Sequence, residues 1–203
     1  SDPGTSIVIP FYNKEEISSE FIIERLINIY RVSIFRDELE VFVEDTQINS
    51  ENIRSLVNAR EESPEKKMLY QDYFNFLEES NIDLPEENNF EINFYDTDEI
   101  SKENISDFEN LIVKFNENKI LKLRLSFQIK KLKDNIRYDE FGSYIDIYIK
   151  KYPSTLDNVR ENFNDFMRGQ MPVYARRNKK TSMFHLVNIQ DDRAMLLFKH
   201  AEQ

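Results

Sequence analysis

The chain has 203 residues, 27 basic and 38 acidic, for a formal net charge of −11, and it contains no cysteine. That length gives one large or two small domains with a real core, and 16 Phe with 10 Tyr are too many aromatics for a disordered polyampholyte. The composition excludes disulfides, thiolate metal sites and a cysteine nucleophile, and no apolar run reaches the ~18 residues of a membrane helix. The opening Ser1-Asp2-Pro3-Gly4 lacks the basic and apolar regions of a secretory signal, so a cytoplasmic protein is expected.

The average charge conceals a division. Residues 1–110 hold 9 basic and 27 acidic groups, net −18, whereas residues 111–203 hold 18 and 11, net +7. Asymmetry of this kind predicts two surfaces with different tasks. Two solvated faces attracting each other within one fold is the simpler reading. The alternative is a nucleic-acid-binding face on the basic half.

In chain order, Ile7 to Phe11 reads as a short buried strand. Asn13 to Glu16 offers a capping box for a helix with Ile22, Ile23, Leu26, Ile27, Ile29 and Tyr30 at helical spacing. Leu39, Val41 and Val43 alternate with Glu40, Phe42 and Glu44, the pattern of a strand buried on one face. Asn49-Ser50-Glu51 caps a short helix bearing Ile53, Leu56 and Val57. Ser63-Pro64-Glu65 starts another, with Leu69, Tyr73, Phe76 and Leu77 on one side and its end near Ser80.

Phe90, Ile92 and Phe94 form the next strand. Ser106 to Glu109 reads as a capping box before a helix whose apolar residues are Phe108, Leu111, Ile112 and Phe115. From Leu121 to Ile129 the odd positions are apolar and Lys122, Arg124, Ser126 and Gln128 fill the even ones, which predicts one buried and one wet, basic face. Lys130 to Asn135 leads toward a turn, and Gly142 marks the entry to a strand over Tyr144 to Lys150. Residues 153–167 fit a helix face or an anchored loop. Met171 to Ala175 and Met183 to Ile189 are further strands, and Asp191-Asp192 caps a terminal helix. No internal repeat is present. The fold class is α/β (α+β), with mixed sheets and packed helices.

Most catalytic sets are missing. Three glycines (Gly4, Gly142, Gly169) provide no phosphate-cradling loop. His185 and His200, with Asp191 and Asp192 between them, match no ligand or acid/base spacing, and surface or satisfied structural histidines are the favoured reading. Glu61, Glu62, Glu65, and then Glu78, Glu79, Asp83, Glu86 and Glu87, lack the order and central glycine of a calcium loop, so they read as solvated surface. Lys122, Arg124, Lys130, Lys131 and Lys133 could follow a phosphate backbone, though no stacking aromatics interleave with them. Arg168, Arg176-Arg177 and Lys179-Lys180 form a second basic group, either solvated turns or donors to a phosphate presented from elsewhere.

Gly4-Thr5-Ser6-Ile7-Val8-Ile9-Pro10-Phe11 resembles the "GT" motif and closing strand of the GHKL ATPases, the superfamily of gyrase B, the heat-shock chaperone ATPase, histidine kinases and MutL. The order in the chaperone branch (acidic residues, a helix, a strand ending in acidic residues) recurs at Asn13 to Glu16, Phe21 to Val32 and Leu39 to Asp45. The remainder resembles large bacterial chaperone-like members, some met in phage defence. Here the cues are Gly142-Ser143-Tyr144-Ile145-Asp146-Ile147-Tyr148, then Arg168-Gly169-Gln170-Met171 with Gln170 where the pattern has a second glycine. A late strand follows, from His185 to Asp192, and then Ala201-Glu202.

The resemblance implies an internal fragment. Residues 1–48 would close the nucleotide domain and lead out of it, and residues 49–203 would form a middle or transducer domain with a β-α-β core. It implies ATP and Mg in the whole protein, with Gly4 and Thr5 near adenine. The phosphate-sensing cation would be Arg193 or Lys199, with Lys179 and Lys180 next in order. The family's asparagine-bearing helix, catalytic Glu and D-x-G-x-G segment are not in this sequence, so the chain alone is expected to be inactive. The implied partners are the nucleotide-binding lobe of the same protein and a second copy in a homodimer. A nucleic-acid- or protein-binding module using the basic half is the alternative, and no membrane partner is expected.

Overall fold

A computed structural model describes residues 17–60, 63–93, 105–133, 136–151, 163–173 and 183–189. The chain forms two compact units, residues 1–53 and 54–203. The expected strand over Ile7–Phe11, the capping box at Asn13–Glu16 and the terminal helix at Asp191-Asp192 lie outside the described residues.

In the first unit, α1 (Ser19–Phe35) starts where Ser18 accepts the N–H of Phe21 at 3.2 Å. Its buried residues are Ile27, Arg31, Val32, Ser33 and Ile34. β1 (Val41–Val43) pairs antiparallel with β2 (Thr46–Ile48), a strand the alternation did not predict. Their two-residue turn holds Glu44 at φ 52°, in the left-handed region. Val43 and Ile48 are buried and Phe42 is exposed. The side chains of Asn49 and Asn52 each accept the other's backbone N–H, which opens α2 (Ile53–Asn58), the helix that straddles the boundary between the units.

The second unit is a six-stranded mixed sheet with a helix on each face. α3 (Pro64–Ser80) begins as predicted, Ser63 accepting the Lys66 N–H at 3.3 Å with proline in the first turn. A 3₁₀ turn, Glu86–Asn88, leads into β3 (Asn89–Asn93). α4 (Phe108–Asn116) then returns the chain to β4 (Leu121–Lys133), parallel to β3, and this β3–α4–β4 run is a β-α-β unit. β5 (Ile136–Lys151) pairs antiparallel with β4, so β5 begins well before Gly142, which lies inside it. β6 (Asn164–Arg168), β7 (Met171–Pro172) and β8 (Met183–Ile189) complete the order β3-β4-β5-β8-β6-β7. Gly169 takes φ 56° in the β6–β7 turn, while Gln170 needs no such conformation, which accounts for a non-glycine residue there.

Residues paired across a ladder share a face, so register assigns the two sides. On one, Leu111 and Phe115 of α4 pack with Phe90, Leu121, Leu123 and Ile149. The same face continues through Leu125, Phe127, Ile145, Ile147, Val187 and Ile189. On the other, α3 lies over β8 and β6. Tyr73 stacks on Phe163 with centroids 4.6 Å apart, and Phe76 stacks on Phe184 at 5.6 Å. The Tyr73 hydroxyl donates to the carboxylate of Asp165, which is buried beneath the stack.

The predicted Ser106–Glu109 capping box does not form. The Ser106 hydroxyl accepts the N–H of Glu91 at 2.9 Å and its own N–H donates to the Glu91 carbonyl at 3.0 Å. Ser106 is therefore engaged at the β3 edge, and Asp107, at φ 49°, precedes the helix without a side-chain cap.

Phe163 is fully buried among Tyr70, Tyr73 and Phe184. Phe163→Ala is expected to lower unfolding free energy by about 3–5 kcal/mol, read from urea midpoints. The exposed Phe42→Ala should change it by under ~0.5 kcal/mol. Equal, small losses in both would contradict the assignment of the α3 stack as the core of the second unit.

Candidate functional site

Every residue singled out for nucleotide contact, namely Gly4, Thr5, Lys179, Lys180, Arg193 and Lys199, lies outside the described residues. So do His200, Asp191, Asp192, Glu61, Glu62, Arg176 and Arg177. Of the others, Arg168 is exposed at the end of β6.

His185 sits in β8, in register with Ile149 of β5 and Asn164 of β6, and is half-buried. Burial disfavours its charged form and pushes the imidazole pKa below its ordinary value. Among the described residues no group of three acidic or histidine side chains is placed to hold a metal ion. The glutamates near the end of α3 behave as surface ion-pair partners instead, Glu78 with Arg54 and Glu79 with Lys150, each at 2.8 Å.

The described chemistry concentrates on the even face of β4. Lys122, Arg124 and Ser126 stand there opposite Tyr148, Asp146 and Tyr144 of β5 and beside Asn89, Glu91 and Asn93 of β3. That face was expected to be wet and basic; Lys122 and Arg124 do stay partly exposed on it, but their charge is met from within the sheet. Asp146 is 4% exposed, and Arg124 donates to it bidentately, Nε to Oδ1 at 2.8 Å and Nη2 to Oδ2 at 2.9 Å. Lys122 Nζ approaches Oδ2 to 3.2 Å. The hydrogen bond to Asp146 is the largest influence holding the Arg124 guanidinium above its ordinary pKa.

Each cation also lies over a tyrosine. Arg124 is 4.1 Å from the Tyr144 ring centroid and Lys122 is 5.7 Å from that of Tyr148. Ser126, itself buried, donates to Glu91 at 2.9 Å. Lys122 and Arg124, which the sequence assigned to solvent, are thus matched by the β5 carboxylate Asp146, with Glu91 of β3 adding a weaker attraction to Arg124. Within the Gly142–Tyr148 strand pattern the sequence does not mark Asp146 as a charge partner. The alternation Tyr144, Asp146, Tyr148 against Lys122, Arg124, Ser126 was the available signal, and only the β4–β5 register turns it into contact.

Beside this network a cleft of about 460 Å³ opens on the same face. Its floor is Asn89, Glu91, Lys122, Arg124 and Tyr148, and the segment Ile82 to Leu84 after α3 forms one wall. Asn89 holds that wall by donating its side-chain N–H groups to the carbonyls of Leu84 and Pro85, at 3.1 and 3.0 Å. Ser106 closes the β3 side. Cations, carboxylates and apolar surface therefore converge in a space of small-molecule size.

No protein-family model, curated protein or solved structure matches this chain. Among the described residues, no helix is long and apolar enough to cross a membrane.

The His185 shift gives a signed prediction. As pH falls through the ordinary histidine range, the unfolded chain takes up a proton before the folded one, so stability falls with pH. The contribution is complete above the unfolded-state value of about 6.5 and is lost as pH drops toward the lowered folded-state value. Urea midpoints between pH 7.5 and 5.5 should decline less in His185→Gln than in the parent chain. An identical decline in both would show that His185 does not carry the effect.

Proposed function

We propose that this chain is the middle, relaying portion of a larger bacterial, chaperone-like GHKL ATPase of the cytoplasm. In this reading it converts the nucleotide state of an adjacent lobe into domain movement within a homodimer. The observation that carries the reading is the build of residues 54–203. A β-α-β unit, β3–α4–β4, runs into an antiparallel strand bearing the Gly142–Tyr148 pattern and then into the Arg168–Gly169 turn. ATP and Mg belong to the adjacent lobe. The described residues include no cluster of three acidic or histidine side chains suited to Mg.

The relay reading is favoured over a nucleic-acid surface because two of the cations expected to track phosphates, Lys122 and Arg124, are engaged by a carboxylate, as is the neighbouring Lys150. Lys122 and Arg124 face Asp146, and Lys150 faces Glu79. Phosphate-backbone binding depends on unpaired cations that displace the counterions condensed on the nucleic acid, and internally matched ones contribute little. Gly4 and Thr5 stand near adenine in this proposal, and Arg193 or Lys199, with Lys179 and Lys180 behind them, contacts the γ-phosphate.

Charge-assisted hydrogen bonds to phosphate are worth ~1.5–3 kcal/mol. In the longer protein, Arg193→Ala and Lys199→Ala should accordingly lower ATP turnover roughly ten- to a hundredfold for whichever residue makes the contact, with the melting temperature unchanged. The 203-residue chain should show no turnover by itself. Turnover unchanged in both variants and in the double variant would overturn the residue assignment, and hydrolysis by the isolated chain would overturn the relay reading.

A further inference from the structure

The cleft above the β3–β4–β5 face has a charge pattern that the relay reading does not use. Two cations and two carboxylates face the same space. Lys122 and Arg124 are fixed by Asp146 beneath them, yet their side chains stay 24% and 41% exposed. Asp146 engages Nε and Nη2 of Arg124, leaving Nη1 available to donate. Glu91 accepts from Ser126 through Oε1, leaving Oε2 as an acceptor, and Asp83 lies on the wall beside it.

The charge balance selects among ligands. Two cations against Asp146, Glu91 and Asp83 leave the site with one net negative charge. A phosphate dianion would meet repulsion from Glu91 and Asp83, and a simple cation would meet Lys122 and Arg124. A molecule carrying both charges offends neither pair. The wall adds Ile82, 65% exposed, and the half-buried Leu84, an apolar surface facing the polar floor. A volume of about 460 Å³ accommodates a small amphipathic molecule.

We infer that this cleft binds a small zwitterion with an apolar body, an α-amino acid or a dipeptide. Its carboxylate is received by Arg124 Nη1 and the Lys122 ammonium, and its ammonium is received by Glu91, with Asp83 adding attraction. The apolar side chain rests on Ile82 and Leu84. The pre-pairing of both cations with Asp146 matters here, because it orders their side chains before the ligand arrives and reduces the entropy lost on binding. The site stands or falls independently of the relay proposal.

Calorimetric titration of the 203-residue chain with L-phenylalanine, L-leucine and L-leucyl-L-leucine tests the inference, with N-acetyl-L-phenylalanine, L-phenylalaninamide and inorganic phosphate as controls. At least one zwitterion should bind saturably, and whether the amino acids or the dipeptide bind tighter identifies the source. Blocking either charge should weaken binding roughly tenfold or more, the size of one charge-assisted hydrogen bond. Glu91→Gln keeps an acceptor for Ser126, and it should weaken the zwitterion about tenfold while leaving the N-acetyl compound unaffected. Lys122→Met keeps the bidentate Arg124–Asp146 pair, and it should weaken ligands with a carboxylate while sparing the amide. Absence of saturable zwitterion binding up to about 10 mM to folded protein would overturn the inference. Equal affinity for the blocked forms, or tighter binding of phosphate, would do the same.

Discussion

The arrangement of the second unit turns on one buried carboxylate. Removing Asp146 from water costs several kcal/mol unless its charge is met and its lone pairs are filled. The bidentate Arg124 and the neighbouring Lys122 meet those conditions from the adjacent strand. A slip of one residue between β4 and β5 would turn Asp146 toward the apolar face now occupied by Ile145 and Ile147. The pairing therefore costs little in one register and a great deal in its neighbours. Hydrophobic burial supplies most of the folding free energy, and the ion pair restricts which pairing can use it. With that register set, Leu121, Leu123 and Ile149 meet α4, while Lys150 and Phe184 share the opposite side with α3.

The charge division along the chain acquires a structural meaning from the same unit. Its midpoint falls inside residues 54–203, whereas the boundary between the compact units lies at Ile53–Arg54. Lys150 reaches Glu79, and Lys114 reaches Glu87, both at 2.8 Å, so pairs from the basic half close on the acidic half. This agrees with two attracting faces of one fold. Exposed pairs of this type add little stability individually. What they change is availability: a cation already facing a carboxylate is poorly suited to a phosphate backbone, whereas mixed charge within a cleft suits a ligand that carries both signs.

Much of this fold was legible where local signals agreed with tertiary packing. The Ser63-Pro64 start of α3 and the apolar odd face of β4 follow from the sequence directly, because cap chemistry and alternation are properties of a single segment. β2 was not legible, since Thr46-Gln47-Ile48 is too short to show a period. Gly142 reads as a strand entry, yet it is accommodated within β5 opposite Gln128. Ser106 has the sequence of a cap, but the open edge of β3 takes its hydroxyl. The site was least legible for a related reason. Alternation places Lys122 and Arg124 on one face, but the face becomes wet or neutralised only through what β3 and β5 set beside it.

The central claim is that Arg124 and Asp146 act as a unit that fixes the β4–β5 register. A double-mutant cycle with Arg124→Met, Asp146→Asn and the combined variant, followed by urea denaturation, measures that directly. A coupling of about 1–3 kcal/mol is expected, with the combined variant losing less than the sum of the single losses. Additivity within about 0.5 kcal/mol would contradict the account, since it would mean that the two side chains contribute independently to the fold.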